Sequence, residues 1–228
     1  IILYYFLAKK IYKSSKKLID QKNEILLSYE KLNTLFKSMI TAITKAIEAR
    51  DDFTSGHSER VSENTIGFAK YLNLEDDLID KLEIASLLHD IGKLGVPEEI
   101  INKPGKLTNE EYDIIKKHPI IGEKIVENIE QLDTIVDIIR HHHERYDGLG
   151  YPDKLKGKEI PLMARIISIT DAYDAMTSTR PYRKNLSINE ALLEIKNNSK
   201  KQFDPDLVES FIKYITDKSS KKNKISPN

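Results

Sequence analysis

Between positions 4 and 46 apolar residues fall on one heptad track: Tyr4, Ile11, Leu18, Ile25, Leu32, Met39 and Ala46. A second track, four residues later, holds Tyr29, Phe36 and Ile43 but also Ser15 and Lys22. No Gly or Pro interrupts this stretch. The spacing predicts one long helix, and from Leu18 onward a parallel coiled coil. The alternative is a single amphipathic helix lying on the domain that follows. Residues 51–56 break the pattern.

Shorter helical periods follow. Helices are predicted over 58–72, capped near Ser55 or Gly56, and from about 78 through His89, with Leu82, Ala85 and His89 on one face. Gly92 and Pro97 end that second helix, and residues 95–106 read as a loop around Pro104-Gly105. Further helices are predicted over 109–117, 120–129, 133–143, 161–176, 187–197 and 205–216. Residues 144–160 form a loop with Gly148, Gly150, Pro152 and Gly157. No period of two persists, so no sheet is expected. After Lys218 the chain is Ser, Lys and Asn, which predicts a disordered tail over 218–228.

Composition narrows the chemistry. The 228 residues contain no Cys, which excludes disulfides, Cys-ligated zinc and thiol catalysis. The 36 basic and 36 acidic residues balance, so nothing in the overall charge marks a DNA- or RNA-polymer binder. Locally the balance fails: Lys9, Lys10, Lys13, Lys16 and Lys17 follow the apolar, aromatic run at residues 1–8. Eight residues cannot span a bilayer, which needs about 20. The tail of a transmembrane helix with lysines on the cytoplasmic side fits that order, and a first residue that is not Met fits a piece of a longer protein. A helix end packing on a partner, or a signal-peptide remnant, is the alternative. The expected layout is therefore 1–8 as the end of a membrane helix, 9–45 as a coiled-coil signalling helix, 46–217 as the catalytic domain, and 218–228 as tail.

The side chains that carry chemistry fall between 57 and 171. His89-Asp90 sits on an apolar helical run, followed by Gly92 and Lys93. One residue of such a pair can ligate one metal while its neighbour bridges to a second. Lys93 can then meet a phosphate oxygen as a point charge. Asp171 lies in a mostly apolar helix, where a carboxylate needs a metal or an ion pair with Arg165 or Arg180. His118 precedes Pro119 at a helix start. Of His141, His142 and His143, two adjacent rings can converge at a fraying helix end, and His142 and His143 are favoured with His141 outward. His57 follows Thr54-Ser55-Gly56. These nitrogen and oxygen donors without sulfur suit divalent first-row metals in a hydrolase.

In this pattern the chain resembles the HD-GYP family, a subgroup of the HD phosphohydrolases. His89-Asp90-Ile91-Gly92-Lys93 is similar to its HDxGK motif. The run from His142 to Pro152 fits HHExxDGxGYP at every fixed position. Residues 56–61, 102–105 and 179–184 are also similar to family segments, and the likeness covers roughly 42–215.

The resemblance implies an all-α HD-domain helical bundle with a GYP loop, behind the long N-terminal helix. It implies His57, His89, Asp90, His118, His142, His143 and Asp171 as ligands of two divalent metals, iron or manganese, with Asp90 bridging. A third metal would need a Glu where this chain has Phe53. Lys93, Tyr151, Arg180 and Arg183 would meet substrate phosphates or guanine, and Asp90 and Lys93 carry catalysis. Glu144 or Asp147 could anchor the loop as partners of the histidines. The implied reaction is hydrolysis of cyclic di-GMP to pGpG, in some members on to GMP, in bacterial second-messenger signalling. Three alternatives stay open: another cyclic dinucleotide or nucleotide as substrate, a receptor for cyclic di-GMP, and a docking module for a GGDEF-type cyclase. The expected setting is a homodimer joined through the N-terminal helix, its catalytic domain tethered to the inner face of the membrane.

Overall fold

The computed structural model describes residues 2–51, 55–178 and 185–225. Among them ten α-helices and three short 3-10 turns form an all-α chain, and the one β contact is an isolated bridge between Ser199 and Phe203. The chain divides into two units, residues 1–40 and 41–228.

The first unit is carried by α1 (Ile2–Glu48), one unbroken helix. Leu18, Ile25, Leu32 and Met39 of its heptad track are all solvent-exposed. No helix among the described residues is long and apolar enough to cross a membrane. The expectation for residues 1–8 therefore rests on the order of aromatic residues and lysines alone.

The second unit begins with the end of α1 and holds the core. Here α2 (His57–Tyr71) packs against α3 (Asp76–Leu88) and α8 (Leu162–Thr177). Val61 and Phe68 of α2, Leu82 and Ala85 of α3, and Ile166, Ile167 and Ile169 of α8 are fully buried. These spacings put one apolar stripe of each helix inward. At the far end α10 (Pro205–Ile225) closes the bundle, where Phe211 meets Phe68 edge to face at 5.0 Å.

Short pieces bring the remaining chemistry inward. After α3 a 3-10 turn at Ile91–Gly95 packs against α6 (His118–Val126). Gly92 is required there: a Cβ would lie 1.8 Å from the carbonyl oxygen of His118. Between the two come α4 (Glu98–Ile101) and α5 (Asn109–Ile115), the latter opened by a Thr108/Glu111 capping box. α7 (Val136–His141) then leads into the glycine-rich loop, and α9 (Ile188–Asn197) opens on a Ser187/Glu190 capping box.

Three sequence expectations need correction. The segment 95–106 is not all loop, because Pro97 serves as the cap of α4. The helix expected over 133–143 starts as a 3-10 turn at Glu130–Ile135 and becomes α-helical only at Val136. Residues 218–225, expected as a tail, continue α10, since no Gly or Pro stops the helix before Pro227.

Candidate metal centre

Three histidines stand just past the ends of helices, and this sets their orientation. The last carbonyls of a helix have no partner within it. His89 follows α3 and its Nδ1 donates to the Ser86 carbonyl at 2.7 Å. His118 follows α5 and donates to the Ile115 carbonyl at 2.8 Å. His142 follows α7 and donates to the Ile139 carbonyl at 2.7 Å. A carbonyl only accepts, so each Nδ1 carries a proton, and in the neutral ring it is Nε2 that presents the lone pair. The fourth ring, His57 at the start of α2, is held differently: its Nδ1 lies 2.7 Å from Asp174 Oδ2.

The free edges converge. Nitrogen or oxygen atoms of Asp90, His118, His142 and His143 all lie within 4.8 Å of one another, and so do those of His57, His89 and Asp90. Asp90 belongs to both sets. Its Oδ1 is 3.3 Å from His118 Nε2 and its Oδ2 is 3.5 Å from His89 Nε2. Asp171 joins through His57, whose Nε2 is 3.1 Å from Asp171 Oδ1. All seven predicted ligands thus meet in one place.

A cation fits this arrangement. His118 Nε2 and His142 Nε2 face each other at 3.3 Å, and with both Nδ1 atoms protonated these are two lone pairs in opposition. A positive ion drawing on both relieves that repulsion. Burial, reinforced by neighbouring imidazoles, pushes His142 well below its ordinary value and His143 down to about 3, while burial lowers His118 against the pull of Asp90. These rings are neutral, as ligands must be. Burial works against charge on His57 too, but hydrogen bonds to Asp171 and Asp174 outweigh it and raise the ring to about 10. A metal between His57 and Asp171 would take the place of that proton. Asp90 is pushed up by burial, yet the Lys93 ammonium beside it, the largest opposing influence, holds it well below the carboxylate range.

The cluster opens into a cavity of about 320 Å³ lined by Asp51, Lys93, Tyr151, Asp171 and the histidines 57, 118 and 143. Lys93 Nζ bridges Asp90 at 2.9 Å and Asp51 at 3.2 Å. Burial opposes its charge and the two carboxylates overcome that, keeping the ammonium protonated far above neutrality. Tyr151 lies against His143 with ring centres 5.0 Å apart, and burial keeps its phenol protonated. The glycine-rich loop reaches this point because Gly150 passes close to the chain: a Cβ there would sit 2.3 Å from the Arg145 nitrogen.

Some expectations change. His141 does face away, and pairs with Asp153 at 2.9 Å. Glu144 and Asp147 do not support the histidines: Glu144 accepts from the Asp153 N–H at 2.7 Å, and Asp147 pairs with Arg145. That support comes from main-chain carbonyls and from Asp174, which the sequence reading missed. Asp174 lies three residues after Asp171 on α8, hence on the same face, and that spacing was the available signal. Arg165 pairs with Asp204 rather than with Asp171. Arg180, Arg183 and Phe53 lie outside the described residues.

Comparison with known proteins agrees with this geometry. The family model described as HD domain matches residues 41–207. A cyclic di-GMP phosphodiesterase of Pseudomonas aeruginosa is 40% identical over 170 residues, 74% of this chain and 41% of its own length. A 3′3′-cGAMP-specific phosphodiesterase of Vibrio cholerae is 40% identical over 74% of this chain and 36% of its own. Among solved structures, an HDGYP protein of Bdellovibrio bacteriovorus superposes with a TM-score of 0.60 at 25% identity, covering 72% of this chain and 53% of that one. The chain spans about two fifths of the length of these curated relatives.

Proposed function

From a chain that belongs to the HD domain family, and to its HD-GYP branch, we propose a metal-dependent phosphodiesterase that opens cyclic di-GMP to the linear dinucleotide pGpG. One observation carries the reading: two compact donor sets share Asp90 at the wall of a cavity that also holds Lys93 and Tyr151. His57, His89 and Asp171 would hold one divalent ion and His118, His142 and His143 the other, iron or manganese by resemblance. When bound, such a pair lowers the pKa of a shared water so that hydroxide is available near neutral pH. The chain's residues do the rest. Asp90 stays ionised between the two sets. Lys93 spends two of its three N–H donors on Asp90 and Asp51 and keeps one for a phosphate oxygen of the substrate. Tyr151 offers a flat ring beside His143 for contact with a base or sugar. In balance, hydroxide adds to phosphorus, the bond from phosphorus to the ribose 3′ oxygen breaks, and that oxygen takes up a proton.

The relative from Vibrio cholerae favours a second reading, in which 3′3′-cGAMP is the substrate. One experiment separates them. The protein, loaded with Mn(II) or Fe(II) without oxygen, is incubated with each cyclic dinucleotide and the products are resolved by chromatography. Faster conversion of cyclic di-GMP supports the first reading and faster conversion of 3′3′-cGAMP the second. Tight binding without conversion replaces both with a receptor.

We also propose that residues 9–45 join two copies as a coiled coil, with 46–217 as the catalytic domain. The exposed apolar track of α1 supports this. Light scattering at micromolar concentration tests it, and a strictly monomeric species refutes it.

A further inference from the structure

The end of α1 is built into the metal centre. Glu48, in its last turn, is buried, and its carboxylate spans the start of α2: Oε2 accepts from the Gly56 N–H at 2.7 Å and Oε1 from the Ser58 N–H at 2.7 Å. Those donors flank His57, the first residue of α2. The cap residue Gly56 has no side chain to serve its own helix, so the capping group comes from α1. Thr44, one turn earlier, and Asp51, three residues past the end of the helix, reach the other side of the centre. Thr44 donates to the Leu87 carbonyl at 3.0 Å, two residues before His89, and Asp51 accepts from Lys93.

We propose that Glu48 is a positioning residue for His57, and that through it the final turn of α1 sets how tightly the His57 half of the centre holds its metal. This rests on the reading of His57 as a ligand. The physical argument is one of attachment. His57 has its ring fixed by Asp174, but its backbone is fixed by Glu48, which grips the residue on either side. An anion at a helix N-terminus is also favoured by the helix dipole. Loss of the grip frees the first turn of α2 and lets Nε2 wander from Asp90 and Asp171. The set around His118, His142 and His143 hangs on other helices and is not touched by Glu48. A change confined to the Glu48 contacts would therefore reach the His57 half of the centre and spare the other.

The test is Mn(II) titration of apo protein, wild type against Glu48→Gln, followed by calorimetry and by metal analysis after dialysis. Glutamine keeps the shape but turns an NH₂ group toward one of the two N–H donors. Two binding steps are expected in the wild type. In the variant one step weakens about 10- to 100-fold, the usual range for a lost supporting partner, while the other is unchanged. Glu48→Asp should fall between. Wild-type affinity at both steps in Glu48→Gln overturns the proposal, as does equal weakening of both. A wild type that binds no Mn(II) overturns the ligand reading itself. If the variants fail to fold, hydrogen exchange in the wild type decides. Coupling is reciprocal, so metal loading must slow exchange of the Gly56 and Ser58 amides well beyond that of the Glu190 amide in the remote capping box of α9. Equal change at the two caps sinks it.

Discussion

Asp174→Asn is the sharpest test of how the centre is supported. The buried carboxylate accepts from His57 Nδ1 at 2.7 Å, Arg60 Nε at 2.8 Å, Arg60 Nη2 at 3.1 Å and Ser178 Oγ at 2.9 Å. Asparagine has the same shape but only one accepting oxygen. If that oxygen serves Arg60, the amide NH₂ faces His57 and the ring loses the acceptor that fixes its tautomer. A charge-assisted hydrogen bond contributes about 1.5–3 kcal/mol. Tenfold in affinity is about 1.4 kcal/mol, so metal at the His57 position should weaken roughly 10- to 100-fold. That matches what loss of a supporting partner does at other metal sites. Stability falls less, because the Arg60 side chain is 41% exposed and water replaces part of its pairing. About 1–2 kcal/mol is expected, or roughly 2–8 °C in the melting temperature of the apo protein. The assays are calorimetric Mn(II) titration and thermal unfolding of apo protein. An asparagine variant with wild-type affinity at both positions would show that Asp174 does not orient the ring.

Three further outcomes are expected. Asp90→Ala removes the one residue common to both donor sets, so bound metal and turnover should both collapse while the far-ultraviolet circular dichroism stays helical; full metal content would refute the bridge. Gly92→Ala drives a methyl group into the His118 backbone and should destabilise by about 3 kcal/mol or more, read by urea unfolding. The hydrogen bond from Arg140 holds Asp153 at about 2 against its usual 3.8. Its contribution, about 1 kcal/mol or less for so exposed a pair, is present above pH 4 and lost as pH falls toward 2. The stability gap between wild type and Asp153→Asn should close over that window, and a gap that persists at pH 2 would dismiss the pair.

The sequence carried the donors but not what aims them. His89, Asp90, His118, His142, His143 and Asp171 were legible because each is a polar residue at an apolar or helix-end position, and the structure gathers them. The long helix and the lack of an expected sheet followed from periodicity, and the all-α bundle from the resemblance of the motifs. Short elements were missed where local geometry rather than pattern decides, as at the 3-10 turn Ile91–Gly95, which the approach to α6 makes possible. Glu48 was hidden because nothing in an amphipathic helix end marks a residue that will cap a different helix eight positions on. Arg60 and Asp174 form a pair 114 residues apart, which no spacing rule reaches.

The carbonyls of Ser86, Ile115 and Ile139 have a consequence for how such a protein can be dissected. Each holds a histidine through the main chain, so any side chain at those positions supplies the same acceptor. An alanine scan would leave all three acceptors in place, so any effect it found at 86, 115 or 139 would report side-chain packing, as at the fully buried Ile139, and not the support itself. Only backbone chemistry reaches them: replacing the following amide by an ester weakens the carbonyl as an acceptor without altering any side chain. Three of the four histidine anchors are thus written in the chain's conformation rather than its alphabet.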